Sequence, residues 1–195
     1  MPTATRQRLI EAAIKRFYRD GFRNVGIDQI LADVGISKTA FYKHFDCKDD
    51  LMLAALENQN LWLQQTFRDM IFERGGDSPV GQLRAVLDVV EMLIESDDFQ
   101  GCIFVNVAME FPLHHEPAHV AAADNKRSIE EIIRGIAERA GVVQARALAE
   151  ELCLIMEGAY VTRQVTGNTQ TVSIARRIAD RAIADHLPPI DLPIN

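Results

Sequence analysis

The chain has 195 residues, of which 48% are hydrophobic and 25% charged, so it is long enough to bury a substantial core. No apolar run approaches the roughly 18–20 residues of a membrane span, and residues 1–8 lack the apolar stretch of a secretory signal. The three cysteines are widely spaced, which argues against a disulfide framework or a zinc knuckle. We therefore expect a cytoplasmic protein that has no membrane association and no cofactor.

Charge is distributed unevenly along the chain. The net charge is −7, yet residues 1–48 carry nine Lys and Arg against five Asp and Glu, which gives +4 and leaves −11 for the rest. We call residues 1–48 the head and residues 49–187 the body. A basic head on an acidic body favours an approach to DNA through one end of the molecule.

The head is predicted to contain three helices. Apolar residues at helical spacing indicate a first helix, which Gly21 ends. A short amphipathic helix follows at 27–34 and ends at Gly35. Ser37 offers an N-cap for a third helix over 38–44.

The body is predicted to be helical throughout, without a strand pattern or an internal repeat. Ser78 can cap the fifth helix, with Pro79 at its first position. The fold class is therefore all-α, with a three-helix head, a larger helical body and about nine helices in total. Prolines near the end predict an extended tail over 188–195. Six body helices are predicted. The first runs from about 48 to 72, the second begins at 79 and ends before a turn at 97–101, and the third, a short apolar segment, covers 103–111. After a loop at 112–117, the fourth continues to about 140, and the last two cover about 144–166 and 171–186.

The second and third helices form a candidate helix-turn-helix. Phe41 and Phe45 lie on one side of the third helix, and its other side carries short or polar residues that can enter the major groove. Thr39 and Ala40 permit a close approach, and their methyl groups can meet a thymine methyl. Periodicity alone equally allows a three-helix core with solvated lysines. The candidate DNA-contacting residues are Ser37, Lys38, Thr39, Ala40, Tyr42, Lys43, His44 and Lys48.

The run GISKTAFYKHFDCKDDL over residues 35–51 resembles the recognition-helix signature of the TetR (tetracycline-repressor-like) family. The agreement extends without a gap over about residues 6–56. The resemblance implies an all-α homodimer that binds double-stranded operator DNA, usually as a repressor that a small molecule releases. It also implies that Thr39 and Lys43 reach bases, while the residues that contact phosphate are Lys38, Tyr42, His44 and Lys48. Two positions depart from the pattern, Gly26 where the family often has Thr and Cys47 where it usually has Ser.

The body diverges widely within this family, so its effector must be inferred from its own residues. The stretch from Gly101 to Phe111 resembles one found in a branch of the family. Asn106 and Glu110 share a face of this apolar helix, so they either bond to neighbouring helices or meet a ligand. A hydrophobic or cationic effector would suit an apolar pocket with acidic anchors. The candidate pocket residues are Trp62, Phe104, Asn106, Glu110, Glu157 and Tyr160.

The last two helices are apolar on more than one face and rich in alanine. Small residues permit close helix packing, so we expect a homodimer built as a four-helix bundle from these two helices. The alternative is that both faces are buried within one subunit.

Four other interpretations compete with DNA binding and a small-molecule effector: a metal site, a redox switch, an enzyme and a helical adaptor. The cluster of His114, His115, Glu116 and His119 has metal-ligand chemistry but no recognised metal spacing, so no metal site is predicted. Cys47 stands at a predicted helix N-terminus, which favours thiol oxidation and a redox switch. No catalytic motif occurs, so we predict no enzyme activity. A helical adaptor that uses the head as a protein interface would differ from a DNA-binding protein in the salt dependence of DNA binding.

Overall fold

The computed structural model describes residues 4–188, and within that range the chain forms nine α-helices and no strand. The predicted all-α fold is confirmed. The predicted extended tail lies, from residue 189 onward, outside the described residues. The helices are α1 (Ala4–Asp20), α2 (Ile27–Val34), α3 (Lys38–Phe41), α4 (Lys48–Gly75), α5 (Pro79–Glu95), α6 (Ile103–Glu110), α7 (Pro117–Arg139), α8 (Ala145–Thr166) and α9 (Thr171–His186).

Local signals set several of these boundaries. Gly35 ends α2 in the left-handed conformation, with a φ of 70°, and its N–H donates to the Leu31 carbonyl at 2.9 Å. Ser78 caps α5, since its Oγ accepts a hydrogen bond from the Gly81 N–H at 3.2 Å, and Pro79 occupies the first turn.

The third helix is shorter than predicted, because regular α-helix ends at Phe41 rather than at His44. The Lys43 N–H donates to the Ala40 carbonyl at 3.4 Å, and the His44 N–H donates to the Phe41 carbonyl at 2.8 Å. Both bonds join residues three apart, which tightens the chain into turns after one helical turn. The fourth helix is three residues longer than predicted and ends at Gly75.

The chain divides into two compact units. The first contains the described residues up to Leu63 together with Cys102–Lys126, and the second contains Gln64–Gly101 with the described residues from Arg127 onward. This division does not coincide with the predicted boundary between residues 48 and 49, which remains a prediction about where DNA binding resides. The first core includes Phe17, Phe22, Phe41, Leu51, Leu56 and Phe104, and the second includes Leu83, Leu87, Ile133, Leu148, Leu152 and Ile183.

None of the helices between residues 4 and 188 combines the length and the apolar character needed to cross a membrane.

Candidate nucleic-acid interface

The segment from Ser37 to Phe45 has one buried side. Phe41 and Phe45 are both buried, and their ring centroids lie 5.9 Å apart. Ser37 caps α3, since its Oγ accepts a hydrogen bond from the Ala40 N–H at 3.2 Å. The cap and the two rings together fix the orientation of this short segment.

The opposite side of the segment presents most of the predicted DNA-contacting residues to solvent. Lys38, Thr39 and Lys43 are exposed, and Tyr42 keeps 50% of its surface accessible. Ala40 and His44 are half-buried. This surface combines positive charge, a phenol and small side chains, which suits contact with phosphates and base edges. Lys38 Nζ lies 3.4 Å from Asp28 Oδ1, and because both side chains are exposed we expect this ion pair to be weak.

Lys48 differs from the other two lysines predicted to contact DNA, Lys38 and Lys43, because it is half-buried. Its Nζ donates a hydrogen bond to the Phe22 carbonyl at 2.6 Å and lies 5.8 Å from the centroid of the Phe17 ring. Lys48 therefore anchors the turn between α1 and α2.

An ion-pair network links α1 to α2. The guanidinium of Arg16 donates to both carboxylate oxygens of Asp33, with Nη2 to Oδ1 at 2.7 Å. Arg16 also contacts Asp20, which is hydrogen-bonded by Arg19. The Arg19 bond, followed by that of Arg16, lowers the pKa of Asp20 to about 2, and the Arg16 bond lowers the pKa of Asp33. The network fixes α2 against α1.

Glu110, one of the predicted pocket residues, contacts the turn between α1 and α2. Its Oε1 accepts from the Phe22 N–H at 2.9 Å, and its Oε2 accepts from the Arg23 N–H at 2.8 Å. The Glu110 carboxylate therefore forms hydrogen bonds within the fold, and its place in a ligand pocket stays a prediction. The sequence reveals that Glu110 and Asn106 share a face, but nothing in it indicates a partner 88 positions away.

The other predicted pocket residues are divided between the two compact units. Trp62, Phe104 and Asn106 belong to the first, where Trp62 is half exposed, Phe104 is buried in the core and Asn106 is half-buried. Glu157 and Tyr160 belong to the second, where the buried Tyr160 ring lies 6.3 Å from that of Phe99. Their role as a pocket stays a prediction.

The histidine cluster forms contacts within its own segment. His114 Nδ1 lies 2.9 Å from His119 Nε2, and His119 Nδ1 lies 2.8 Å from the Phe111 carbonyl oxygen. Glu116 accepts a hydrogen bond from the Leu113 N–H, and His115 is exposed. Within residues 4–188, no three His, Cys, Asp or Glu side chains are grouped to hold a metal ion. Cys47, directly before α4, is exposed.

Helices α8 and α9 retain apolar residues on their accessible sides. On α8, Leu154 keeps 73% of its surface exposed, and on α9 Ile178 keeps 48%. The two helices pack against each other, and small residues on them, among them Ala149, Ala159 and Ala179, are buried. Burial within one subunit therefore leaves part of the apolar surface of α8 and α9 uncovered. The other large hydrophobic residues exposed on these two helices are Val161, Val165 and Ile174.

Two family models match the chain over most of its length. Residues 9–55 match the model described as bacterial regulatory proteins, tetR family. Residues 79–178 match the model described as the C-terminal domain of LmrA/YxaF-like transcriptional regulators.

Curated relatives include regulators with varied lengths. The HTH-type transcriptional regulator YuxN of Bacillus subtilis is 30% identical over 152 residues, which cover 77% of this chain and 50% of YuxN. The nicotine-responsive transcriptional repressor HdnoR of Paenarthrobacter nicotinovorans is 27% identical over 164 residues, 78% of this chain and 80% of HdnoR. The chain spans about half the length of YuxN and of the regulator AcuR from Cereibacter sphaeroides.

Solved structures of similar proteins share the whole fold. A TetR-family transcriptional regulator from Streptomyces coelicolor is 26% identical with a TM-score of 0.83, over 94% of this chain and 96% of that one. A TetR-type regulator from Streptomyces avermitilis is 28% identical with a TM-score of 0.76, over 91% and 99%. The helix-turn-helix geometry, the two family models and these structures lead to one conclusion: the chain belongs to the TetR family of bacterial regulatory proteins.

Proposed function

We propose that the chain is a DNA-binding transcriptional regulator, a repressor that a small molecule releases from its operator. In this proposal the head, residues 1–48, binds double-stranded DNA, and the body, residues 49–187, senses the effector and forms the dimer. The protein works in the cytoplasm, and it acts by binding rather than by catalysis.

The single observation that carries the proposal is the two-sided segment from Ser37 to Phe45. Phe41 and Phe45 hold it in the core, while Thr39, Tyr42 and Lys43 are exposed. A recognition helix must present its outer residues to base edges and phosphates without losing its support, and this segment meets both conditions. The basic charge of the head further supports DNA as the partner.

We propose that the homodimer forms through α8 and α9. The exposed apolar residues on these helices support this interface, because an apolar patch is removed from water when the same surface of a second copy packs against it. Two heads in one dimer would then occupy successive major grooves about 34–36 Å apart along the DNA.

We propose a small apolar or cationic effector that binds in the body. The name of the relative HdnoR, a nicotine-responsive repressor, supports a small organic molecule as the kind of signal. An effector changes operator affinity only if it binds more tightly to the dimer when the heads have one particular spacing. A difference in binding free energy of about 1–3 kcal/mol between the two spacings is sufficient.

The test is operator binding by fluorescence anisotropy. The operator would be selected from random sequences with the purified protein, and affinity would then be measured across a salt series. We expect Lys43→Ala to weaken binding at least about fivefold and Tyr42→Phe to weaken it less, because a lost phosphate or base contact is typically worth about 1–3 kcal/mol. Arg68→Ala is the matched control, since it removes the same charge from an exposed site on α4 outside the head.

Selective and salt-sensitive binding with two protomers per site, weakened by the head variants and unchanged by Arg68→Ala, would support the proposal. Equal affinity for selected and random DNA would contradict it and favour the adaptor interpretation.

A further inference from the structure

The carboxylate of Glu110 occupies an unusual position, at the last residue of α6. A negative charge at a helix C-terminus is disfavoured by the helix dipole, so it requires compensation from elsewhere. Here the compensation comes from two successive backbone N–H groups, those of Phe22 and Arg23, at 2.9 and 2.8 Å. Successive amides in a turn form a concave anion site, and this one is filled by a side chain of α6.

The residue before these amides leaves room for the carboxylate. Gly21 has a φ of 85°, and a Cβ at this position would lie 3.3 Å from Glu110 Oε1. A side chain at residue 21 would therefore be strained by its backbone conformation and would crowd the carboxylate.

The side chain of Arg23 adds a second kind of contact between the head and α6. Its Nε donates to the Glu110 carbonyl at 2.8 Å, and its guanidinium lies 4.8 Å from the centroid of the Phe111 ring. The last carbonyl group of a helix has no partner within the helix, so a guanidinium is a favourable donor there. The α1–α2 turn thus donates three hydrogen bonds to Glu110, two from backbone N–H groups to its carboxylate and one from the Arg23 side chain to its carbonyl.

The peptide groups of the same turn are also held by α4. While Glu110 accepts from the Phe22 N–H, Lys48 donates to the Phe22 carbonyl at 2.6 Å. Phe22 itself is buried and stacks on Phe17, with ring centroids 5.0 Å apart. The turn that leads into α2 is therefore bonded by charged side chains from two helices, α4 and α6.

From this arrangement we propose that Glu110 is the positioning residue that couples α6 to the DNA-binding head through the amides of Phe22 and Arg23. The inference rests on the proposed function, because the coupling regulates operator binding. A shift of α6 must carry the turn with it or break these charge-assisted bonds, and either outcome changes the position of α2. By thermodynamic linkage, operator binding to the head must likewise change the exposure or mobility of α6.

The test measures amide hydrogen exchange in the full chain, free and bound to operator DNA selected from random sequences. The variant is Glu110→Gln, which keeps the size but loses the charge and one acceptor oxygen. The matched control is Glu116→Gln, because Glu116 also accepts a backbone hydrogen bond, from Leu113, a few residues further along.

In the free protein we expect the Phe22 and Arg23 amides to exchange at least about tenfold faster in Glu110→Gln than in the parent, because hydrogen bonds to charged groups are the stronger ones. In the parent, operator DNA should change the exchange rate of residues 103–111 at least about threefold. In Glu110→Gln that change should disappear while α3 remains protected by DNA, and Glu116→Gln should behave as the parent.

Four results would overturn the inference. If the parent binds operator but residues 103–111 do not respond, or if Glu110→Gln responds as the parent does, the coupling is absent although the proposed function stands. If the parent selects no operator, the proposed function fails and the inference fails with it. Should Glu110→Gln not fold, Arg23→Met is the second variant, because it removes the hydrogen bond from the Arg23 side chain to the Glu110 carbonyl. It is expected to reduce the response of residues 103–111 to operator DNA by about half. An undiminished response would overturn the coupling.

Discussion

Lys43 and Lys48 were both predicted to contact DNA, yet their surroundings differ. Lys43 is exposed on the outer side of the segment from Ser37 to Phe45, the recognition segment, whereas the half-buried Lys48 donates a hydrogen bond from its ammonium to the Phe22 carbonyl. A lysine that keeps its ammonium at the surface can pack its alkyl chain against the core. Sequence spacing identifies both as basic residues near the recognition helix, but it does not separate a solvent-facing lysine from one that also supports a turn.

We expect Lys48→Met to lower the free energy of unfolding by about 1–3 kcal/mol, because it removes a hydrogen bond from a charged donor. Operator affinity should fall as well. Lys43→Met should lower operator affinity and leave the free energy of unfolding unchanged within about 0.5 kcal/mol. Urea denaturation and anisotropy on the same samples measure both quantities, and equal stability of the two variants would show that the Phe22 bond contributes nothing.

The carboxylate of Asp20 gives a pH prediction. Bonds from Arg19 and then Arg16 lower its pKa to about 2, from an ordinary value of 3.8. Because the folded pKa is below the unfolded one, the ionised group stabilises the fold fully above about pH 4. This contribution is lost as the pH falls through about 2.

We therefore expect Asp20→Asn to be less stable than the parent at pH 5–7, with a difference that shrinks as the pH falls below about 4. Urea denaturation at several pH values measures the difference. Carbon-13 NMR of the carboxyl group supplies the control, since Arg19→Gln should move the pKa of Asp20 back toward 3.8. A stability difference that is the same at pH 3 and pH 6 would contradict the assignment.

At the scale of helices, the predictable boundaries are those with a local cause. Gly35 and the Ser78–Pro79 pair act through their own backbone and nearest neighbours, so their residue types are sufficient to predict them. The end of α3 is different, because nothing in residues 42–44 forbids a helix. There the N–H groups of residues 43 and 44 bond to carbonyls three residues back, which tightens the chain, while Phe41 and Phe45 stay in the core. The end of α3 therefore depends on tertiary packing rather than on local residue types.

The N-caps of α3 and α5 provide a matched pair for a test of the recognition segment. In each case a serine Oγ accepts a hydrogen bond at 3.2 Å from the N–H three residues later. Ser37→Ala and Ser78→Ala should each cost about 0.5–2 kcal/mol of helix stability. We expect only Ser37→Ala to weaken operator binding, by at least about threefold, because its cap holds the segment that is proposed to enter the major groove. Anisotropy with both variants is the measurement, and the same loss of affinity in Ser78→Ala would show a general effect of stability.

At the scale of the whole molecule, the grouping of α6 with the head was not predictable. Charge and motif divide the chain near residue 48, whereas compactness places Cys102–Lys126 with the N-terminal helices. The contact between Glu110 and Phe22 joins residues that are far apart in sequence, and no local pattern encodes such a contact. The apolar faces of α8 and α9 were visible in the sequence, since helical periodicity indicates which residues share a side.

Those faces lead to a prediction about assembly. We expect the parent to sediment at twice the chain mass of 21.8 kDa at micromolar concentration. Leu154→Glu and Ile178→Glu should each raise the dimer dissociation constant at least about 100-fold. In a symmetric interface each substitution acts twice, and the loss of one buried aliphatic side chain costs about 1.5–3 kcal/mol before the desolvation of the new charge is counted.

Val143→Glu is the matched control, because Val143 is 92% exposed and precedes α8. Its sedimentation should equal that of the parent. In Leu154→Glu and Ile178→Glu, operator affinity should fall together with the fraction of protein that is dimeric, since a single head contacts only one half-site. If Leu154→Glu and Ile178→Glu remain dimers with unchanged operator affinity, the dimer uses another surface. A parent that sediments as a monomer would remove the homodimer from the proposed function altogether.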